Sequence, residues 1–356
     1  NFDHVWAGDL TSPDWHGWYS LPGALSEWSC DGEVFVLSTN APYYPLLQEL
    51  SYIRPMRMLS PNAFVGGAAS DPYTQNSCPT GWGTVAATAD HAEVTCAGTT
   101  AIAGTGPFMF QSRTPNADNA DHDDLVVFAA NTDYWGGAPD IEELRVVRYD
   151  SAAAVYDALI AGTLDAVLGA GVLEPARVSE LQYDTRFEVL HGPETMTRAI
   201  IMNIADKEVR KAVVHAVNKN PIIQSELSGF ESPTSQLFSQ NAPYCGADLT
   251  PKFNYDLEKA QRLNCPIGCT LDFLLQEGNS VDLAIEDDIR ADLAKIGLTV
   301  NARPVDRDTY NADMVAGNYD MVISETWGAP YDPHSYIASW TTPDEAHYSA
   351  LPTAGI

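Results

Sequence analysis

Short runs of alternating or continuous apolar residues punctuate this chain, and between them apolar positions recur at helical spacing. Glu33-Val-Phe-Val-Leu-Ser38 reads as a strand. Tyr43-Tyr-Pro-Leu-Leu-Gln-Glu-Leu50 reads as a short helix with Pro45 near its start. A turn at Gly104-Thr-Gly-Pro107 leads into a strand through Gln111, and a polar, acidic turn at 116–124 leads into Leu125-Val-Val-Phe-Ala129. Leu144-Arg-Val-Val-Arg-Tyr149 is a further strand. In the segment 151–161, Ala154, Val155, Ala158 and Leu159 share one helical face, with Ser151 as cap, and Leu164-Asp-Ala-Val-Leu168 completes a β-α-β unit. The same order recurs later. A helix over 207–218 is followed by a strand over 270–275, a helix over 281–296, and strands over 299–302 and 320–324. Two batches of alternating strands and helices predict two α/β lobes, assigned here to residues 1–231 and 232–356, with the crossover in the Pro- and Ser-containing stretch 229–243.

The length of 356 residues agrees with two lobes, and a 45% hydrophobic content with eight Trp, sixteen Tyr and eleven Phe supplies enough apolar material for their cores. No stretch approaches 18 uncharged apolar residues, so no membrane-inserted segment is expected in this chain. The first residues, Asn1-Phe-Asp-His4, lack a basic and an apolar region. A signal peptide is therefore expected to be absent or already removed. Segment 74–100, rich in small and polar residues, reads as a loop or hairpin pinned by a disulfide.

Charge removes several partners. Forty-eight acidic residues against nineteen basic ones leave a net charge of -29, which repels nucleic acid and anionic membranes. Such a surface serves solubility, or adaptation to a saline medium where charges are screened. Six cysteines, Cys30, Cys78, Cys96, Cys245, Cys265 and Cys269, point to an oxidising compartment. Cys78 with Cys96 and Cys265 with Cys269 are natural local pairs, which leaves Cys30 with Cys245, although connectivity is not determined by spacing. A structural metal site has no paired CxxC to support it.

Several blocks together resemble the family 5 extracellular solute-binding proteins, which serve ABC importers for nickel and oligopeptides. These are Gly104-Thr-Gly-Pro107, Asn131-Thr-Asp-Tyr-Trp-Gly-Gly-Ala-Pro139, Ala161-Gly-Thr-Leu-Asp165, Val209-Arg-Lys-Ala-Val-Val-His-Ala-Val-Asn-Lys219 and Tyr255-Asp-Leu-Glu-Lys-Ala-Gln-Arg-Leu263, in family order. Residues 43–50 with Arg54-Pro-Met-Arg-Met58, and Thr326-Trp-Gly-Ala-Pro-Tyr-Asp-Pro-His334, are similar to the nickel-binding branch. The resemblance implies a two-lobed α/β periplasmic-binding-protein fold (type II, cluster C-like) that closes on its ligand about a hinge and performs no chemistry. It also implies that segments found at the N- and C-terminal ends of family members are missing from this chain.

The resemblance further implies a ligand set. In the nickel branch the ligand is a metal held in a small chelate, a cargo rather than a cofactor. Arginines clamp its carboxylates through their planar fork, aromatic rings wall the pocket, and a histidine reaches the metal. Arg57 falls on one clamp position, whereas the second, immediately before Asn131, is Ala130. Trp327 and Tyr331 match the aromatic wall, and Tyr310 lies one residue from a further pocket tyrosine. The metal histidine maps onto Glu345, with His347 two residues on, so both are candidate ligands of nickel or another transition metal; His334 reads as structural. With Ala130 in the clamp and an acidic field around it, a carboxylate-rich metallophore is disfavoured.

No GxSxG, P-loop, Rossmann glycine triad, HxH or HExxH occurs, so no enzyme and no cofactor are expected. The expected activity is extracytoplasmic capture (periplasmic, secreted or cell-surface) of a metal complex or short peptide for an ABC permease. The alternative is an ectodomain of a larger extracellular or membrane protein, acting as a sensor or assembly module.

Overall fold

The computed structural model describes residues 2, 6, 18, 20–52, 104–117, 122–169, 171–242, 245–246, 250, 252–263, 269–343 and 345–354. Internal contacts divide the chain into two compact units, Asn1–Asp157 and Ala158–Ile356. This division lies earlier than the expected 231/232, because a strand at 198–202 pairs inside the sheet of the second unit.

In the first unit, helix α1 (Leu21–Ala24) runs into β1 (Leu25–Asp31), which folds back on β2 (Val34–Thr39) as an antiparallel hairpin. Gly32 at its turn has φ 61°, a left-handed value open to a residue without Cβ. β2 was expected from its apolar run. β1, Leu-Ser-Glu-Trp-Ser-Cys-Asp, has no such run and is a strand because β2 pairs with it. Helix α2 (Leu46–Leu50) starts directly after Pro45, as anticipated. Its Glu49 is fully buried: a carboxylate oxygen accepts the Leu21 N–H at 2.8 Å and its carbonyl accepts the Trp18 indole N–H at 2.7 Å. Burial, with the Glu49 charge beside it, pushes the Tyr43 phenol well above its ordinary value.

Strands β3 (Phe108–Pro115), β4 (Asp123–Ala130) and β5 (Glu143–Val147) form a three-stranded antiparallel sheet in that order. Register places Phe110 opposite Phe128, Phe128 opposite Leu144, and Val126 opposite Val146, an apolar line across one face. β5 is one of the two edges, and every residue of it is exposed. Helix α3 (Ala152–Ala161) has the expected cap, with the Ser151 hydroxyl accepting the Ala154 N–H at 3.1 Å. The expected strand at 164–168 does not form; Leu168 is exposed there, so the anticipated β-α-β unit stops at its helix.

The second unit continues through α4 (Pro175–Gln182), β6 (Arg198–Met202), α5 (Lys207–Ala216), α6 (Lys219–Glu226) and α7 (Leu257–Arg262). It then alternates β7 (Thr270–Gln276), α8 (Ser280–Ala294), β8 (Thr299–Val305), α9 (Arg307–Ala316) and β9 (Met321–Glu325), and ends with α10 (His334–Trp340) and α11 (Ala350–Ala354). The sheet order is β6-β9-β7-β8, with β7 parallel to β8 and β9 and β6 antiparallel to β9.

Both faces of this sheet are covered, which is why the apolar run of β7 is broken only by Asp272. Leu271, Phe273 and Leu275 pack in one core with Val209 and Val213 of α5, Ile222 of α6, and Ile285, Ile289 and Leu293 of α8. Leu274 and Val322 point to a second core with Met314, Tyr319 and Ala350. Side-chain caps start four of the described helices of the second unit: Asp206 accepts the Glu208 N–H, Asp256 the Lys259 N–H, Asn279 the Asp282 N–H, and Asp306 the N–H groups of Asp308 and Thr309. Arg303 ties β8 to β7 through Asp272 at 2.7 Å and to α9 through Asp313 at 2.5 Å.

Of the cysteines, Cys78, Cys96 and Cys265 lie outside the described residues, so the pair Cys78–Cys96 does too. Cys30, Cys245 and Cys269 are free thiols, so the expected pairs Cys30–Cys245 and Cys265–Cys269 are not made. Cys30 sits on exposed β1, while Cys269 is packed against the second-unit core and its carbonyl accepts the Thr299 N–H at 3.0 Å. Among the described residues, no helix is long and apolar enough to cross a membrane.

Candidate functional site

Ligands of open α/β sheets collect beyond the carboxyl ends of the parallel strands. In the second unit β9 ends at Glu325, and Thr326-Trp-Gly-Ala-Pro-Tyr-Asp-Pro follows directly. The segment is anchored from beneath. The Thr326 N–H donates to the Thr197 carbonyl at 2.9 Å, and the Thr326 hydroxyl accepts the Thr197 N–H at 3.0 Å. Fully buried Asp332 accepts the Trp327 N–H at 3.1 Å, and the N–H groups of Tyr331 and Asp332 both return to the Gly328 carbonyl. Burial pushes the Asp332 carboxyl up, opposed by the Thr326 hydroxyl and the N–H groups of Gly328 and Trp327. Gly328 has φ 72°, and a Cβ there would meet Met196 Cγ at 2.6 Å, so the turn admits no side chain at that position.

This turn presents the Trp327 ring with 37% of the residue exposed. Edge-on contacts to Tyr331 at 6.3 Å and to Tyr336 at 5.6 Å hold it. The turn thus brings the expected Trp327 and Tyr331 together. Tyr310, on α9, turns its hydroxyl to the Ile323 carbonyl at 3.3 Å, and burial, with Asp282 nearby, pushes its phenol up to about 12. It supports β9 from behind.

The metal candidates sit differently. His347 is 95% buried (5% exposed), with Nε2 at 2.9 Å from the Ser324 hydroxyl and the ring against Trp340 and Tyr336. Its Nδ1 is buried with no hydrogen-bond partner, and burial lowers its pKa to about 4, so the ring is neutral near pH 7. Reaching a bound metal would require breaking this packing. Glu345 is half-buried, and its N–H donates to the Thr342 carbonyl at 3.3 Å. Among the described residues no group of three or more His, Cys, Asp or Glu side chains is arranged to hold a metal ion. Arg57 lies outside the described residues. Ala130 ends β4, where its N–H donates to the Glu142 carbonyl at 2.8 Å and it carries no group able to hold a carboxylate.

Sequence reasoning missed a charged group at the same strand end. Arg198 opens β6, opposite Glu325 in the ladder. Its guanidinium reaches Glu325 at 2.8 Å, Asp282 at 3.0 Å and Glu231 at 3.4 Å. Burial raises the Asp282 carboxyl; Arg198 works against that shift, while Glu325 and Glu231 add to it. No local pattern marks such a group, since Arg198 and Asp282 are brought together only by the sheet. A separate groove of about 200 Å³, lined by Asn218, Pro221, Ile222, Asp288, Ala291, Asp292 and Lys295, lies between α6 and α8. There Lys295 is already paired with Asp292 at 2.6 Å, and no aromatic ring lines it.

Residues 30–348 match the bacterial extracellular solute-binding proteins, family 5 Middle. The chain is 27% identical over 360 residues to the nickel-binding periplasmic protein of Escherichia coli K12, covering 94% of this chain and 62% of that protein. It is 28% identical over 253 residues to a putative ABC transporter peptide-binding protein of Brucella ovis, covering 65% of this chain and 45% of that protein. Among solved structures, that of NikA from Brucella suis in complex with Fe(III)-EDTA superposes with a TM-score of 0.76 at 27% identity, covering 94% of this chain and 65% of that one. The chain therefore spans less than two thirds of the length of each of these relatives. Its α/β fold is that of the two-lobed periplasmic binding proteins of the family 5 type. With nine tenths of its residues inside the matched span, the chain belongs to the bacterial extracellular solute-binding proteins, family 5.

Proposed function

We propose that this chain is the ligand-capturing part of an extracytoplasmic receptor that delivers a small solute, a metal complex or short peptide, to an ABC permease. The observation that carries the reading is Trp327, part-exposed beyond the carboxyl end of β9 on a turn braced by Asp332 and Gly328. A large aromatic residue held this firmly presents a preorganised apolar surface, which lowers the entropic cost of binding. Tyr331 flanks it, and Tyr310 and Tyr336 steady the strand and the ring. In this reading His347 serves packing rather than coordination.

The test is a titration of the purified chain with nickel(II), with and without histidine, and with di- to pentapeptides, read by tryptophan fluorescence and calorimetry. Saturable binding that Trp327→Ala weakens by about tenfold is the expected result, a size typical of a central aromatic contact. Flat titrations with a folded chain would remove the importer reading and leave the sensor or assembly module.

A further inference from the structure

We infer that the free edge of β5 docks a second copy of this chain, paired antiparallel about a two-fold axis at Leu144. The surface lies in the first unit and is independent of the Trp327 turn. The backbone is the starting point. The Arg148 N–H donates to the Asp124 carbonyl at 3.0 Å, and the Ala130 N–H to the Glu142 carbonyl at 2.8 Å. With Val126 opposite Val146 and Phe128 opposite Leu144, the even-numbered residues of β5 are those bonded to β4. The N–H and carbonyl groups of Glu143, Arg145 and Val147 therefore point away from the sheet. Among the described residues β5 has no strand neighbour except β4, and each of its five residues is exposed. Such a row of donors and acceptors is a template for another strand.

Charge selects the occupant. Sheet edges are commonly defended by charged residues that repel an incoming strand. Here Glu143 and Arg145 carry opposite signs two residues apart, so both project from one face, where they pair at 2.5 Å. When two copies meet antiparallel with Leu144 opposite its own counterpart, Glu143 of each copy comes opposite Arg145 of the other. Sliding the pairing by two residues either way sets Glu143 against Glu143, or Arg145 against Arg145. One register is thus favoured and its two neighbours are penalised.

That same register suits the apolar positions. Val147 comes opposite Ile141, and both are exposed in the single chain. On the other face the row of Phe110, Phe128 and Leu144 continues into the same row of the second copy. The product is a closed, two-fold, six-stranded antiparallel sheet built from two three-stranded ones. A contact one strand wide is small, so association at about micromolar concentration is expected. The net charge of -29 on each copy opposes association at long range, and salt screens it.

The experiment is sedimentation equilibrium of the 356-residue chain from about 1 to 100 µM at about 0.15 M salt. A reversible rise from one chain to two is expected. Arg145→Glu and Glu143→Arg, each checked for native circular dichroism, should weaken the dimer about tenfold, and the two changes combined should restore it. Leu144→Cys should give an oxidised dimer that the unaltered chain does not, because Cα atoms facing each other at the axis lie within disulfide reach. Val146→Cys, set away from the axis, should give less. A chain that stays monomeric throughout, a mass curve unmoved by the single reversals, or a double variant as weak as either single one overturns the inference. So does slow amide exchange of Glu143, Arg145 and Val147 in a monomer, which would mean that the edge is covered within one polypeptide.

Discussion

The two sheets of this protein handle apolar surface in opposite ways. In the second unit, strand β7 is covered on both faces: Phe273 and Leu274 point in opposite directions and both are fully buried. In the first unit, the edge strand β5 pairs with β4 on one side only, and its Leu144, Val146 and Val147 are all exposed. Both strands are apolar in sequence, so hydrophobic content does not distinguish them. What differs is whether helices follow on both sides. The alternating β7-α8-β8-α9-β9 order supplies a covering helix for each face, and the antiparallel β3-β4-β5 order supplies none within the sheet. A candidate ligand site needs a rigid base, and it lies at the end of the doubly covered sheet.

The contrast can be broken most directly by truncating one residue on each sheet. Phe273→Ala should cost about 3–5 kcal/mol, since it removes a fully buried ring and leaves a cavity. Val146→Ala should stay within about 0.5 kcal/mol, because the side chain is already in water. Urea unfolding of both variants measures the difference, and comparable losses would mean that β5 is covered in solution.

A second prediction concerns acid. His347 keeps its ring neutral in the folded chain, with a pKa lowered from 6.5 to about 4 by burial, while Ser324, Tyr336 and Trp340 offer no negative charge to balance a proton. Between these values the unfolded chain takes up a proton that the folded chain refuses. Stability is therefore fully present above about pH 6.5 and is lost as pH falls toward 4, by on the order of 3 kcal/mol. His347→Gln should flatten that part of the urea-midpoint profile against pH. A profile that keeps its slope in the variant would place the acid sensitivity elsewhere.

The smallest effect separates two arginines. Arg303, part-buried between Asp272 and Asp313, should cost about 2 kcal/mol when replaced by Met, since charge-assisted bonds that tie two elements are lost. Arg145 pairs with Glu143 at 2.5 Å on exposed β5, and Arg145→Met should change stability by less than about 0.5 kcal/mol. Equal costs in urea would show that exposure does not rank these pairs.

Much of the secondary structure was legible from local pattern. β7, α8, β8 and β9 lie where their apolar runs and helical spacing predicted, and Ser151 caps α3 as expected. Misreadings occurred where pairing overrides pattern. β1 is polar yet becomes a strand against β2, and 164–168 is apolar yet finds no ladder. The thiols show the same limit, since Cys245 and Cys269 have suitable partners in sequence and make no bond.

By itself the sequence determined the α/β character, the family and the Trp327–Tyr331 turn, because these depend on periodicity and on residues adjacent along the chain. Tertiary structure alone decided three further matters. It joined β6 to β9 and so placed Arg198 among Asp282, Glu231 and Glu325. It buried His347 against Trp340 and Tyr336. It also set which of two equally apolar strands is covered. Burial and ion pairing are properties of neighbours brought together from distant positions, and no spacing along one chain encodes them.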